Sequence, residues 1–308
     1  MGINGFFKTL VASKGEYAGK TILHLGKETK LTSLAGKTIC FDTSNMIYSA
    51  ILALQSVTGM TAADGKITSH IKTIMAQVLM FKKYNINQLW IFDSPKGTEL
   101  KKNELEKRKL RKDAAKTDKA QFRMTSEHVE DIKKLLNLLG ITYIIAPDGV
   151  EAEQFGAYLT MPKPGVGAMC DYMYSGDADV LIFGGNLLRP MTTKTATGKS
   201  KKKEYYAYHI GEVLEATGLN RQELAELAVA LGSDFADKCE KIGPKTAIAK
   251  VKSHNVILDE TQRNARDYFL LDVSTLAPTI FNSKFQQPEL IAWLLTLGFS
   301  QDRLDKLF

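Results

Sequence analysis

With 308 residues, 44% of them apolar and 24% charged, the chain has enough apolar material to bury a core and too ordinary a charge content for a disordered segment. Forty-one Lys and Arg against thirty-four Asp and Glu leave a formal charge of +7, which favours a polyanionic partner without naming one. Three widely spaced cysteines, Cys40, Cys170 and Cys239, with no CxxC pair, argue against a disulfide scaffold and a cysteine zinc site and point to a reducing compartment.

No apolar run approaches the roughly 20 residues needed to cross a bilayer, and the N-terminus lacks the continuous apolar core of a signal peptide. The expectation is an intracellular protein without a membrane partner. Met1-Gly2 opens like a myristoylation signal, but Phe6 stands where that signal requires Ser or Thr.

In chain order, residues 37–42 (KTICFD) and 87–93 (NQLWIFD) are short apolar runs ending on aspartate, the pattern of buried strands. Between them, residues 44–54 and 67–84 carry apolar side chains at helical spacing, the second through Ile71, Ile74, Met75, Val78, Leu79 and Phe81. Residues 127–139 predict an amphipathic helix with Ser126 as its cap, ended by Gly140 ahead of a strand over 141–145. Pro147 and Asp148 turn the chain into a helix near Gly149. The MPKPGVG loop at 161–167 and a strand over 171–175 follow.

The lysine run from Lys199 to Lys203, in TGKSKKKE, reads as a solvated loop before a strand over 205–208, with a DNA contact or an import signal as the alternatives. From Ile210 onward the pattern is helical apart from a hairpin-like signal around Lys241 to Lys245. Alternating strands and helices imply an α/β fold with a central, mainly parallel sheet over residues 1–209. A helical part, 210–308, is expected to pack against it as one unit.

Ligand sites in open parallel sheets gather outside the carboxyl ends of the strands, where this pattern puts Asp42, Asp93 and Asp177. Glu151 and Glu153 open the helix after a further strand. Asp177 and Asp179, in SGDADVLIFGG, share one face if that turn is extended, and Asp234 in LGSDF begins a later helical motif. Taken alone, each aspartate is more often a helix cap than a ligand. Together, seven acids suit two Mg2+ ions, which favour oxygen ligands and keep much of their water. Four positive charges against seven negative leave three uncompensated.

Cations follow immediately after Asp93. Residues 96–123 hold eleven Lys or Arg and five acids, with Lys101, Arg108, Arg111 and Lys112 at spacings that share a helical face. From composition alone this is either a solvated surface helix or a phosphate-facing one.

At this point the chain resembles the flap endonuclease branch of the structure-specific 5′-nucleases, which includes the xeroderma pigmentosum group G enzymes. The match runs in order through MGINGFFKTL, GKTICFDTSNMIY, WIFDSPKGTELKKNELEKR, PDGVEAEQFGAYL, SGDADVLIFGG and LGSDFADKCEKIGPKTA. It implies a PIN-like nuclease core with a helix-turn-helix (H2TH) region, and Asp42, Asp93, Glu151, Glu153, Asp177, Asp179 and Asp234 as acids holding two Mg2+, with Mn2+ able to stand in. It implies Lys101 and Arg108 as the pair on the scissile phosphate, within an arch over about 96–125. Gly2, Tyr48, Arg111 and Lys112 become DNA contacts, Tyr48 stacking on an unpaired base, where spacing alone allows a core tyrosine equally well.

In CEKIGPKTAIAK, Gly243, Pro244, Lys245 and Thr246 resemble the turn that grips duplex phosphates, with a K+ ion implied there. The family has Gly-Ile-Gly at this turn; this chain has Lys241-Ile242-Gly243. The implied activity is Mg2+-dependent endonuclease and 5′ to 3′ exonuclease cleavage of flap, nicked, gapped or 5′-ended DNA in replication, repair or recombination. The expected protein is a monomer in the nucleus or another replication compartment, a viral one included. QDRLDKLF at the C-terminus fits a sliding-clamp motif only loosely, through Gln301, Leu304 and Phe308 with Leu307 where an aromatic is usual, and reads better as the end of the last helix. Two readings compete with nuclease. A nonenzymatic junction-binding protein would not need all seven acids, and a Mg2+ phosphatase needs a second aspartate that FDTSN lacks.

Overall fold

The computed structural model of the chain describes residues 3, 6–7, 26–54, 68–101, 124–194 and 201–308. Gly2, Arg108, Arg111, Lys112 and most of the basic segment lie outside the described residues. The elements in order are β1 Lys27–Glu28, β2 Thr38–Asp42, α1 Thr43–Leu54, α2 Ser69–Lys83, β3 Asn87–Phe92, α3 Ser126–Leu138, β4 Tyr143–Ile145, α4 Ala152–Leu159, β5 Tyr172–Tyr174, α5 Asp179–Ile182, β6 Leu187–Lys194 and β7 Lys201–Tyr208. There follow α6 Ile210–Thr217, α7 Arg221–Leu231, α8 Ala247–Lys252, α9 Glu260–Phe269, β8 Thr279–Phe281, α10 Gln287–Thr296 and α11 Gln301–Leu304.

The strands form one sheet in the order β1-β7-β6-β5-β2-β3-β4-β8. Its centre is parallel, β6, β5, β2, β3 and β4 running together, with β7, β1 and β8 added antiparallel at the two sides. Successive residues of a strand face opposite sides, so Cys40 and Ile91 enter one core while Ile39, Phe41, Trp90 and Phe92 enter the other. The first core is covered by α4, α5, α7, α8 and α9, the second by α2, α3 and α10. Burial on both faces explains why the central strands read as apolar runs.

Three sequence expectations are corrected. The residue that caps α3 is Thr125: its backbone is extended and its N–H donates to His128 Nδ1 at 3.0 Å, so Ser126 is already helical. Lys201 to Lys203 belong to β7, because the ladder with β6 extends from Tyr208 back to Lys201. The Lys203 ammonium lies over the rings of Tyr174 and Tyr205, at 5.5 and 5.8 Å from their centres, and burial pulls its pKa down. Finally, β8 interrupts the helical C-terminal part and pairs with β4 from Tyr143↔Phe281 to Ile145↔Thr279. At the C-terminus Leu304 is fully buried and the Phe308 ring sits 6.0 Å from that of Phe285, the geometry of a last helix packed on its own core.

α4, which leads away from the acids at 151 and 153, lies close against the sheet. A Cβ on Gly156 would meet Met173 Sδ at 2.4 Å and Ile91 Cδ1 at 3.2 Å. Gly156→Val is therefore expected to lower unfolding free energy by about 1–3 kcal/mol, through overpacking. Urea denaturation monitored by circular dichroism measures it.

Candidate active site

β2 and β3 end side by side, with Asp42 opposite Ile91, so the topology delivers Asp42 and Asp93 to one edge. Both act as helix caps. Asp42 Oδ1 accepts the N–H of Asn45 at 2.9 Å at the start of α1, and Asp93 Oδ1 accepts the N–H of Ala152 at 2.9 Å at the start of α4. Glu151 is the extended residue before α4, and Glu153 lies in its first turn. The Asp177 to Asp179 turn is not extended: Asp179 is the first residue of α5. Asp234 follows the end of α7 just beyond Gly232.

Three of these carboxylates are almost fully enclosed, Asp42 at 8%, Glu153 at 8% and Asp179 at 2% exposure. Burial, reinforced by the charge of Asp93, pushes Asp42 up to about 8 despite the Asn45 hydrogen bond and the nearby Lys101. Burial raises Asp179 to about 7, Lys101 opposing and Asp177, Asp234 and Glu151 adding. Glu153 is raised well above the carboxylate range by burial, then by Asp179, Asp42 and Asp177, against a hydrogen bond donated by Ser175 Oγ. Glu151 and Asp177 are raised too, burial first. These couplings join all seven acids into one electrostatic cluster.

Lys101 is the cation within it. Its Nζ sits 2.6 Å from Glu151 Oε1 and 5.1 Å from the centre of the Phe235 ring. Burial works to lower its pKa, but the charge and hydrogen bond of Glu151, with Glu153 and Asp179, outweigh burial and raise it. Asp179 Oδ1 is buried with no hydrogen-bond partner. Such an atom is costly unless a cation faces it. An oxygen-only donor set with an orphaned carboxylate oxygen fits a hard divalent ion. Among the described residues, no group of three or more His, Cys, Asp or Glu side chains is set to enclose one ion.

Of the expected DNA contacts, Tyr48 is half-buried on α1 and outside both core clusters, unlike Tyr143 and Tyr174. Lys245 and Thr246 are exposed at the start of α8, where Thr246 Oγ1 and the Gly243 carbonyl lie 3.4 Å apart. Lys241 adopts φ +56°, the left-handed region that a glycine enters without strain. Its carbonyl accepts from Lys250 Nζ at 3.2 Å.

Several site neighbours were not singled out by sequence. Ser175 lies inside the SGDAD motif and was findable there as a donor to Glu153. Phe235, under Lys101, directly follows Asp234. Arg189 donates to the Gly176 carbonyl at 3.1 Å, and Tyr268 donates to the Gly149 carbonyl at 3.3 Å. These two come from distant elements and carry no local signal.

The XPG N-terminal domain matches residues 1–115 and the XPG I-region matches residues 140–234. Flap endonuclease 1 of Pyricularia oryzae is 30% identical, the alignment spanning 99% of this chain and 82% of that protein. Flap endonuclease 1 of Methanocella arvoryzae is 29% identical over 91% of each. Among solved structures, the catalytic core of Rad2 in complex with DNA substrate aligns with a TM-score of 0.70 at 20% identity, covering 99% of this chain and 98% of that one. Flap endonuclease-1 from Methanococcus jannaschii gives 0.69 at 22% identity over 91% and 93%. The structural likeness establishes the shared fold, and the domain matches with the 30% identity establish kinship: the chain belongs to the XPG and flap endonuclease family of structure-specific 5′ nucleases.

Proposed function

We propose that this chain hydrolyses DNA phosphodiesters near junctions of single and double strand, using two Mg2+ ions, or Mn2+ in their place, and leaving a 5′-phosphate and a 3′-hydroxyl. The observation that carries this reading is the buried acid cluster with Lys101 set into it and Asp179 Oδ1 left without a partner. Asp42, Asp93, Glu151, Glu153, Asp177, Asp179 and Asp234 would hold the ions. When bound, the ions lower the pKa of water and offset charge on the attacking and leaving oxygens.

The chain's own groups supply the rest. Lys101, fixed by Glu151 and Phe235, presents a positive charge to a phosphate at the sheet edge. Arg108, Arg111 and Lys112 extend that charge along the basic segment. Tyr48 stacks on a base freed from pairing. Residues 210–308 act with 1–209 as one catalytic unit, Gly243, Lys245 and Thr246 holding duplex phosphate through backbone N–H groups and an ammonium.

The reading is tested with end-labelled 5′-flap, nicked, gapped and blunt duplexes, in Mg2+ and then in chelator. Cleavage close to the junction that stops in chelator is expected; products indifferent to the 5′ end would sink it. Asp179→Ala should cut cleavage by about three orders of magnitude or more, since several kcal/mol of charge stabilisation is lost. Junction-DNA binding, read by fluorescence anisotropy, should survive.

Lys101→Met should lower the single-turnover rate about 10²–10³-fold, the usual cost of one charge-stabilising donor. Substrate affinity should change far less.

Without divalent ions, the raised pKa values of Asp42 and Asp179 give a definite sign. Both carboxyls are neutral in the fold at low pH, and the stability this contributes is lost progressively as pH rises from the ordinary aspartate value of 3.8 to the folded values of about 7 and about 8. The metal-free chain should melt at a lower temperature at pH 8.5 than at pH 6. Added Mg2+ should raise that temperature more at pH 8.5, as differential scanning fluorimetry reads directly.

A further inference from the structure

Arg221 opens α7 and points its guanidinium back under the short helix that carries Asp179. Nη1 donates to the carbonyls of Leu181, at 3.3 Å, and Ile182; Nη2 donates to the carbonyl of Phe269 at 3.5 Å. Leu181 and Ile182 end α5, and Phe269 ends α9. One guanidinium therefore serves carbonyls at the C-terminal ends of two helices, where the helix itself supplies few donors, and it shares the Leu181 carbonyl with the Gly184 N–H at 3.0 Å. A cation is favoured at such ends.

The surroundings are shaped around this side chain. These guanidinium bonds all run to backbone carbonyls, so peptide dipoles at two helix ends face its charge. A Cβ on Gly184, at φ +93°, would fall 2.8 Å from the guanidinium carbon. Phe183, between them, packs on Phe235, Tyr268 and Phe269, with ring centres 6.4, 6.0 and 5.0 Å away. Both segments that meet here lead to acids: α5 begins with Asp179, and α7, whose first residue is Arg221, runs to the loop bearing Asp234. Beside Phe269, Tyr268 reaches the Gly149 carbonyl two residues before Glu151.

We infer that Arg221 is a positioning residue for the metal-binding acids, fixing α5 against α7 and α9 so that Asp179 is held at its spacing from Asp234 and Glu151. This inference rests on the proposed role of those acids. It assigns work to a residue remote from substrate, through a contact for which a planar fork is preorganised: two separate nitrogens reach the two helix ends, whereas an ammonium must reach both from a single nitrogen.

The test compares Arg221→Met and Arg221→Lys with the unaltered full-length chain. Mn2+ affinity is read from the free-Mn2+ electron paramagnetic resonance signal, with single-turnover cleavage and KM for flap DNA alongside. Loss of an outer-shell partner typically weakens metal binding about 10–100-fold. Arg221→Met should weaken Mn2+ binding by about 10-fold or more, and Arg221→Lys by less. KM for DNA should stay within about twofold of normal, because no DNA contact is removed. Lowered melting temperature with normal Mn2+ affinity and normal cleavage in either folded variant would overturn the inference, since a merely structural arginine behaves so. Asp179→Asn separates the two claims. Lost Mn2+ binding there with normal binding in Arg221→Lys and Arg221→Met rejects the role of Arg221 alone. Unchanged Mn2+ binding in Asp179→Asn rejects the acid assignment and this inference with it.

Discussion

Like-charged carboxylates enclosed together are the constraint around which the rest of the molecule is arranged. Asp42, Glu153 and Asp179 are shut away from water and face one another and four further acids. Both desolvation and mutual repulsion oppose their ionisation. Lys101 offsets part of that charge, at 2.6 Å from Glu151, and the remainder calls for cations brought by the solvent. A cluster this unfavourable by itself needs a rigid frame. Two cores, one on each face of the sheet, supply it, and the stacked rings of Phe41 and Trp90, 4.9 Å apart, lie just behind the edge where the acids emerge.

The aspartates at the strand ends cap helices and also face the site. Asp42 and Asp93 each give one oxygen to a helix N-terminus, at 2.9 Å in both cases. A carboxylate used in this way is oriented by the backbone, leaving its second oxygen directed elsewhere. The structural and functional readings of these residues are one geometry. The C-terminal part likewise helps to build the site. Phe235 lies under Lys101, Tyr268 bonds to the turn before Glu151, and β8 completes the sheet beside β4.

What could be read from sequence follows from how local each feature is. β2 and β3 announced themselves because burial on both faces makes continuous apolar runs. Helix α2 was legible from its apolar spacing. Five of the six ordered motifs carry the seven acids, but their convergence requires the rule that parallel strands present ligands at one edge. β8 was not legible: three residues, largely exposed, become a strand only through the neighbouring edge of β4. Lys201 to Lys203 look like loop in sequence because charge dominates the local pattern, whereas pairing with β6 decides their conformation. Arg221 and Tyr268 act through backbone carbonyls far away in sequence, and no spacing rule detects that.

The turn at Lys241 shows how charge is divided over the chain. A non-glycine residue at φ +56° costs on the order of 1 kcal/mol, which glycine would avoid. In exchange, this turn carries an ammonium, and Lys250 binds the carbonyl of the same residue. With Lys245 exposed beside them, the turn concentrates positive charge well away in sequence from the acids. A polyanion meeting this chain is attracted at the turn and repelled at the bare acid cluster. On the proposed reading, divalent ions at the cluster would reduce that repulsion and so couple metal occupancy to DNA engagement at the turn, and the overall charge of +7 understates the contrast between the two places.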